Sequence, residues 1–141
     1  MNITNAVNNL IIRAYEEAKL NKDEYITPEH LLYAAMFNRE VINTVVKCGG
    51  KVEELKTLLK QYINENVNKV EDLEAQESYG FKQIIFMASI QAESSGRDTI
   101  SVDHLISVIF ELKDSYALFY LIGQGITKRD FLYNFCHEEQ E

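Results

Sequence analysis

The chain has 141 residues, of which 46% are hydrophobic and one is proline, and this length suffices for a single buried core. Its 14 Lys and Arg stand against 22 Asp and Glu, and the net charge of −8 without a basic run argues against nucleic-acid binding and favours basic or amphipathic partners. No apolar run of about 18 residues and no signal-peptide pattern occurs, so we expect a cytoplasmic protein with no membrane partner.

Periodic apolar residues predict four helices in the first part of the chain. The first spans about Asn5–Leu20, and a polar loop leads from it to a second helix that begins after Thr27. A short third helix ends at Gly49, because glycine readily takes the left-handed conformation that terminates helices. A fourth helix then carries apolar residues from Val52 to Ile63.

The segment from about 64 to 78 is rich in acids and poor in large apolar residues, which predicts a solvated connector. Beyond it, four more helices follow the same plan as the first four. Their predicted inward residues are Phe81, Ile84, Ala88, Ala92, Leu105, Val108, Ala117, Leu121, Phe131 and Phe135. A polar tail from His137 to Glu141 ends the chain.

The two halves are copies of one another. The stretch Ile26-Thr27-Pro28-Glu29-His30-Leu31-Leu32 returns as Ile100-Ser101-Val102-Asp103-His104-Leu105-Ile106, at an offset of 74 residues. The same offset needs no gap to pair Ala14 with Ala88, Ala18 with Ala92, Glu24 with Asp98, Gly49 with Gly123, Val52 with Ile126 and Leu58 with Leu132. Four helices cannot bury all their apolar faces alone, so we expect the two units to pack about a pseudo-twofold axis.

Each copy contains a helix start with the same chemistry. Thr27 and Ser101 are predicted helix caps, whose hydroxyls accept hydrogen bonds from the free N–H groups of the first turn. His30 and His104 follow three residues later, where an imidazole can bond to the cap backbone. A metal-ligand role for the two histidines is the alternative, although neither has a second Cys or His at ligand spacing.

Acids surround both helix starts. Glu29 and Asp103 occupy the second helical position, where a carboxylate complements the helix dipole by about 0.3–1 kcal/mol. Glu24 and Asp98 add a second acid to each loop-to-helix corner, which solubility alone does not require. Structural and ligand-contacting roles therefore both stay open for these corners.

The chain contains no recognisable catalytic constellation. It has no phosphate-binding P-loop, no dinucleotide fingerprint, no His-Glu-x-x-His and no nucleophile elbow. Cys48 and Cys136 are far apart in sequence and are predicted to be buried free thiols.

The helix-start motifs, with Ala14 and Ala18 before the first and Ser94-Ser95-Gly96-Arg97 before the second, resemble the double-repeat N-terminal domain of Clp ATPases. Within these ring-forming AAA+ unfoldases the chain looks most like the ClpA branch. The resemblance implies an all-α, eight-helix double Clp N-domain built from two four-helix repeats related by a pseudo-twofold axis. The repeats would cover about 5–63 and 79–137, with the acidic connector at about 64–78.

The resemblance also implies a function. The domain would be a non-enzymatic docking module of an ATP-driven unfoldase that feeds the ClpP peptidase, with ATP and Mg bound in the parent AAA+ modules and no cofactor in this segment. ClpA-type domains dock the adaptor ClpS, which selects N-degron substrates, through acids that match Glu24 and Glu29. ClpB-type domains engage unfolded substrates through acids near the second corner, which correspond to Asp98 and Asp103.

Three alternatives remain. ClpC-type domains bind phosphoarginine through acids that match Glu29 and Asp103, although Asp103 is one methylene shorter than the usual Glu and no phosphate-holding bases are evident. A free-standing double-repeat regulator of a Clp protease is the second alternative, and a small metal- or ligand-binding helical protein is the third. For the adaptor role we expect Glu29 to be exposed, so that Glu29→Lys abolishes docking and leaves the fold intact.

Overall fold

Every helix predicted from apolar periodicity is present in the computed structural model, which describes residues 2–137. The eight helices of this range are α1 (Asn5–Leu20), α2 (Pro28–Ala35), α3 (Arg39–Lys47), α4 (Val52–Asn66), α5 (Tyr79–Ser94), α6 (Val102–Ile109), α7 (Tyr116–Gly123) and α8 (Lys128–Cys136). Four two-residue strands accompany them: β1 (Asn2–Ile3), β2 (Tyr25–Ile26), β3 (Gln76–Glu77) and β4 (Thr99–Ile100). The predicted polar tail falls, beyond His137, outside the described residues.

Hydroxyl and amide side chains set where most of the helices begin. In six helices the capping side chain accepts a hydrogen bond from the backbone N–H three residues later, which satisfies one of the free donors of the first turn. These caps are Thr4, Thr27, Asn38, Ser78, Ser115 and Thr127. At the other end of α3, Gly49 has φ +86° and the N–H of Gly50 donates to the carbonyl of Val45, so glycine terminates this helix as predicted.

The two small sheets link the repeats, because each of them pairs a strand that precedes the first helix of one repeat with a strand of the other repeat. β1 precedes the first helix of repeat 1 but pairs in parallel with β4 of repeat 2, and β2 of repeat 1 pairs in parallel with β3, which precedes the first helix of repeat 2. The 74-residue offset converts the register pair Asn2 and Thr99 into the pair Gln76 and Tyr25. The two pairings are therefore equivalent under the pseudo-twofold relation.

The helices follow the same symmetry. Within the repeats α1 packs on α2 and α5 packs on α6, whereas across the interface α3 packs on α8 and α4 packs on α7. One hydrophobic core runs through both repeats, and four fully buried alanines allow close helix packing at matched positions: Ala14, Ala18, Ala88 and Ala92.

The connector is more ordered than the predicted solvated linker. Helix α4 extends to Asn66, the N–H of Glu24 donates to the carbonyl of Asn68 at 2.7 Å, and β3 closes the segment against β2. Its acids do face solvent, as Glu71 and Glu74 are exposed. The backbone of this segment therefore forms one wall of the first corner.

The burial predicted for the two cysteines is wrong for Cys136 and only partly right for Cys48. Cys48 is half-buried, and desolvation raises the pKa of its thiol. Cys136 is exposed, because α8 turns Phe131 into the core and Cys136, five residues later, falls on the outer side. Both thiols are free.

Helices long and apolar enough to cross a membrane do not occur between residues 2 and 137.

Candidate functional site

The first corner is built around His30. Its Nδ1 accepts a hydrogen bond from the N–H of Thr27 at 3.0 Å, while the hydroxyl of Thr27 accepts one from the N–H of His30 at 3.3 Å. This reciprocal capping box gives both residues the structural role expected from the sequence. Because Nδ1 is an acceptor, the proton of the neutral ring lies on Nε2.

Sequence reasoning missed the partner of that second nitrogen. His30 Nε2 donates to Asp23 Oδ2 at 2.8 Å, both side chains are fully buried, and Lys69 from the connector contacts the other carboxylate oxygen. Burial lowers the pKa of His30, and the Asp23 carboxylate opposes this effect only in part. In the sequence Asp23 is one polar residue of a loop, and no signal marked it as a partner of His30, because the second repeat carries Arg97 at the matching position.

The structure contradicts the exposure predicted for Glu29. This residue is 4% exposed, and its Oε2 accepts a hydrogen bond from the backbone N–H of Ala117 at 3.0 Å. Ala117 lies in the first turn of α7, so the carboxylate of repeat 1 satisfies a free donor at the start of a helix in repeat 2. The sequence predicted an exposed Glu29 because only its position on α2 was considered, and α2 in isolation would leave this side chain in solvent.

Glu24 keeps a side chain that is available to a partner. Two backbone hydrogen bonds hold Glu24: its N–H donates to the carbonyl of Asn68, and its carbonyl accepts from the N–H of Gln76. The residue itself is partly exposed. Within residues 2–137 its carboxylate forms no hydrogen bond or ion pair. The neighbouring Tyr25 is 41% exposed. The corner therefore presents a carboxylate with no partner in the described chain, beside the exposed ring of Tyr25, on a backbone that is held by hydrogen bonds.

The second corner has the same frame with different side chains. His104 Nδ1 accepts from the N–H of Ser101 at 3.0 Å, but the hydroxyl of Ser101 donates to the Asp103 carboxylate. Arg97 stands where the repeat would place an equivalent of Asp23, so no matching carboxylate binds His104. Asp98 is exposed and accepts a hydrogen bond from the hydroxyl of Thr99.

The four predicted acids do not form one site. Glu29 lines a groove with Tyr62 and Tyr79, whereas Asp103 lines a different groove with Arg97 and Lys128. Each of these two carboxylates accepts one hydrogen bond from the protein. Residues 2–137 also contain no cluster of three His, Cys, Asp or Glu side chains that could hold a metal ion.

An aromatic cluster borders the groove of Glu29. Tyr62 of α4 stacks on Tyr116 of α7 with ring centres 4.6 Å apart, and Tyr120 and Phe119 extend the cluster along α7. Burial, followed by the nearby Glu29 carboxylate, raises the pKa of Tyr62. Phe119, at the outer end of the cluster, is mostly exposed.

Comparisons with known proteins agree with this architecture. Over 124 residues, covering 85% of the chain, it is 29% identical to a ClpA homolog protein of Fuscovulum blasticum, and over 106 residues, covering 73%, it is 31% identical to the chaperone protein ClpB of Chlamydia pneumoniae. These stretches are 16% and 12% of the two relatives, so the chain spans less than a fifth of their length.

Solved structures show the same fold at low sequence identity. The Hsp104 N-terminal domain from Candida albicans superposes with a TM-score of 0.83 at 15% identity, covering 99% of this chain and 92% of that one. The N-domain of ClpV from Vibrio cholerae gives 0.78 at 14% identity, covering 98% and 83%. The N-terminal domain of ClpD from Arabidopsis thaliana gives 0.71 at 14% identity, covering 96% of each.

A sequence-family match completes this picture. Residues 2–124 match the family described as the Clp repeat (R) N-terminal domain, which is a non-catalytic domain of AAA+ ATPases and a general docking site for adaptors and substrates. With two matched helix starts, exchanged strands and a pseudo-twofold core, the chain belongs to the Clp repeat N-terminal domain family.

Proposed function

We propose that this chain is the adaptor- and substrate-docking N-domain of a ClpA-like, ATP-dependent unfoldase that feeds the ClpP protease. In this proposal the parent protein works in the cytoplasm, binds ATP and Mg in its AAA+ modules, and receives N-degron or unfolded substrates either directly or through a ClpS-type adaptor. The N-domain itself carries out no chemistry.

One observation supports the docking surface most strongly: the carboxylate of Glu24 has no hydrogen bond or ion pair within residues 2–137, while its backbone is held by hydrogen bonds to the connector. A cationic group of an adaptor that meets this acid forms a charge-assisted hydrogen bond worth about 1.5–3 kcal/mol when it is shielded from water. The exposed ring of Tyr25 adds apolar contact beside it. Because the backbone of Glu24 is already ordered by the connector, little entropy is lost on binding.

Glu29 takes a different part in this proposal from the one that the resemblance implied. Its buried carboxylate holds the start of α7, so we assign the direct contact to Glu24 and to Glu29 the positioning of the groove beside it. Asp98 and Asp103 belong to the second corner, where we place direct contacts with unfolded substrate.

Calorimetric titration of the domain with a ClpS-type adaptor, at low and moderate salt, tests the proposal. We expect one-to-one binding that weakens with salt and that Glu24→Lys reduces by at least about tenfold. The matched control is Asp98→Lys, which makes the same charge change at the repeat-related position of the second corner. Equal weakening by both variants, or no binding by the unmodified domain, would refute the assignment.

A further inference from the structure

Two grooves on this domain are related by the repeat. Groove one, of about 610 Å³, lies between α1 and the corner that joins α2 to α3. Groove two, of about 490 Å³, lies between α5 and the corner that joins α6 to α7. The 74-residue offset pairs lining residues of the two grooves: Ala6 with Gly80, Asn9 with Gln83, Phe37 with Glu111, Asn38 with Leu112 and Arg39 with Lys113.

The side chains that line the two grooves differ at several repeat-related positions. Groove two is lined in addition by α2 and α4, through Pro28, Glu29 and Tyr62, which have no counterpart in groove one. Position 13 of groove one is arginine, whereas its equivalent is Met87, and the ring of Phe37 is replaced by Glu111. Glu111 is in turn neutralised by Lys128.

Two arginines, Arg13 and Arg39, and the aromatic ring of Phe37 line groove one. The guanidinium carbon of Arg13 lies 4.3 Å from the centre of the Phe37 ring, and Lys56 Nζ lies 4.2 Å from the same centre. These cation–π contacts orient both cations. Lys56 lines a different groove, together with Phe37, and pairs with the exposed Glu53 at 3.1 Å. Arg39 lines groove one and adds a second guanidinium at the start of α3.

Within residues 2–137 the two guanidinium groups have no acidic partner. Neither Arg13 nor Arg39 forms a hydrogen bond or an ion pair with any part of the chain that the structure describes. Glu16 also lines the groove and pairs with neither of them. Beneath the charges the floor is apolar, since Leu10 and Ala34 are buried.

We propose that groove one binds an acidic peptide segment of a partner protein, with carboxylates on Arg13 and Arg39 and an apolar side chain against Phe37. Guanidinium forks bind carboxylates bidentately, and Arg13 is already oriented by the ring, so part of the ordering cost is met before binding. The protein as a whole carries a net charge of −8 and repels acidic partners, so the attraction is local to this groove. Glu24 does not line groove one, which makes this site independent of the proposed adaptor corner.

Fluorescence anisotropy tests this inference with two labelled peptides, Glu-Asp-Phe-Glu-Asp and Lys-Lys-Phe-Lys-Lys. We expect saturable binding of the acidic peptide that the double variant Arg13→Gln/Arg39→Gln weakens by about tenfold or more. The matched control is Lys113→Gln/Arg129→Gln, which removes two exposed positive charges outside groove one and should change the affinity less than about twofold. Tighter binding of the basic peptide, or equal weakening in the control, would overturn the proposal.

Chemical-shift mapping tests the same proposal on the unmodified, ¹⁵N-labelled domain, so its result does not depend on how a variant folds. Addition of the acidic peptide should shift the amide signals of Asn9, Phe37 and Arg39, and leave those of Gln83 and Lys113 in groove two unchanged. Absence of shifts in groove one, or shifts confined to groove two, would also overturn the proposal.

Discussion

The carboxylate of Glu29 in repeat 1 accepts a hydrogen bond from the backbone N–H of Ala117 in repeat 2, at 3.0 Å. The two residues are 88 positions apart in sequence, and both are buried. The bond therefore joins the two repeats and supplies the start of α7 with an anionic acceptor.

Removal of this carboxylate should destabilise the domain. We expect Glu29→Ala to lower the free energy of unfolding by about 1.5–3 kcal/mol, because a buried charge-assisted bond is lost and the N–H of Ala117 is left unsatisfied. Glu29→Gln keeps an acceptor and should cost less. Urea unfolding followed by circular dichroism measures both.

The control is Asp103→Ala, the same truncation at the repeat-related position. Asp103 is partly exposed and bonds only to a neighbouring hydroxyl within the described chain, so we expect a loss below about 1 kcal/mol. Equal losses for the two substitutions would mean that the hydrogen bond between Glu29 and Ala117 contributes no more to the free energy of unfolding than the bond of Asp103.

Stability should fall in mildly acidic solution because of His30. Its folded-state pKa lies below the usual value of 6.5, so the folded state favours the neutral ring. This contribution is fully present above about pH 6.5 and is lost as the pH falls below it, with a slope of at most about 1.4 kcal/mol per pH unit. Urea midpoints measured at several pH values between 7.5 and 5.5 should decrease accordingly.

His30→Gln is the reference for this titration, because glutamine does not change charge in that range. We expect the variant to be less stable at every pH and to show a shallower pH dependence than the unmodified domain. A parallel decline in the two proteins would assign the effect to carboxylates elsewhere.

Two glycines should respond oppositely to alanine. A Cβ on Gly50 would lie 2.8 Å from Ile126 Cδ1 and 2.9 Å from Val45 Cγ1, and both neighbours are buried, so Gly50→Ala should cost about 1–3 kcal/mol. A Cβ on Gly123 meets no heavy atom within 4 Å, and helical Gly123→Ala should gain up to about 1 kcal/mol. Thermal melting distinguishes a rise from a fall in stability. A higher melting temperature for Gly50→Ala would show that Ile126 and Val45 move to make room for the added methyl group.

The paired alanines of α1 and α5 should not tolerate larger side chains. Ala14 and Ala88 are fully buried at repeat-related positions, so replacement of either by leucine should overpack the core and cost about 1–3 kcal/mol. Exposed Lys19→Leu on the outer face of α1 serves as the control for added hydrophobicity. A leucine at position 14 that leaves the urea midpoint unchanged would indicate an unfilled space behind α1.

Local chemistry explains why so much of the fold was predictable. Apolar spacing located the helices, and α1 spans Asn5–Leu20 as predicted, because the periodicity and the Thr4 cap act within a few residues of one another. The strands escaped prediction because two residues carry no periodicity, and their partners lie in the other repeat. The corner at Glu24 was identified from the sequence, whereas the basic groove was not, because Arg13 and Phe37 are 24 positions apart.

The amino-acid sequence by itself determined the helices, the Thr27 cap, the duplication and the family, since each of these depends on neighbours in the chain or on a repeated pattern. The tertiary structure alone decided which acids remain free. Glu24 and Glu29 look alike in the sequence, but packing of α7 against repeat 1 buries the carboxylate of Glu29 and bonds it to Ala117, while the connector orders only the backbone of Glu24. Burial and long-range hydrogen bonds depend on residues distant in sequence, and only the folded chain brings these together.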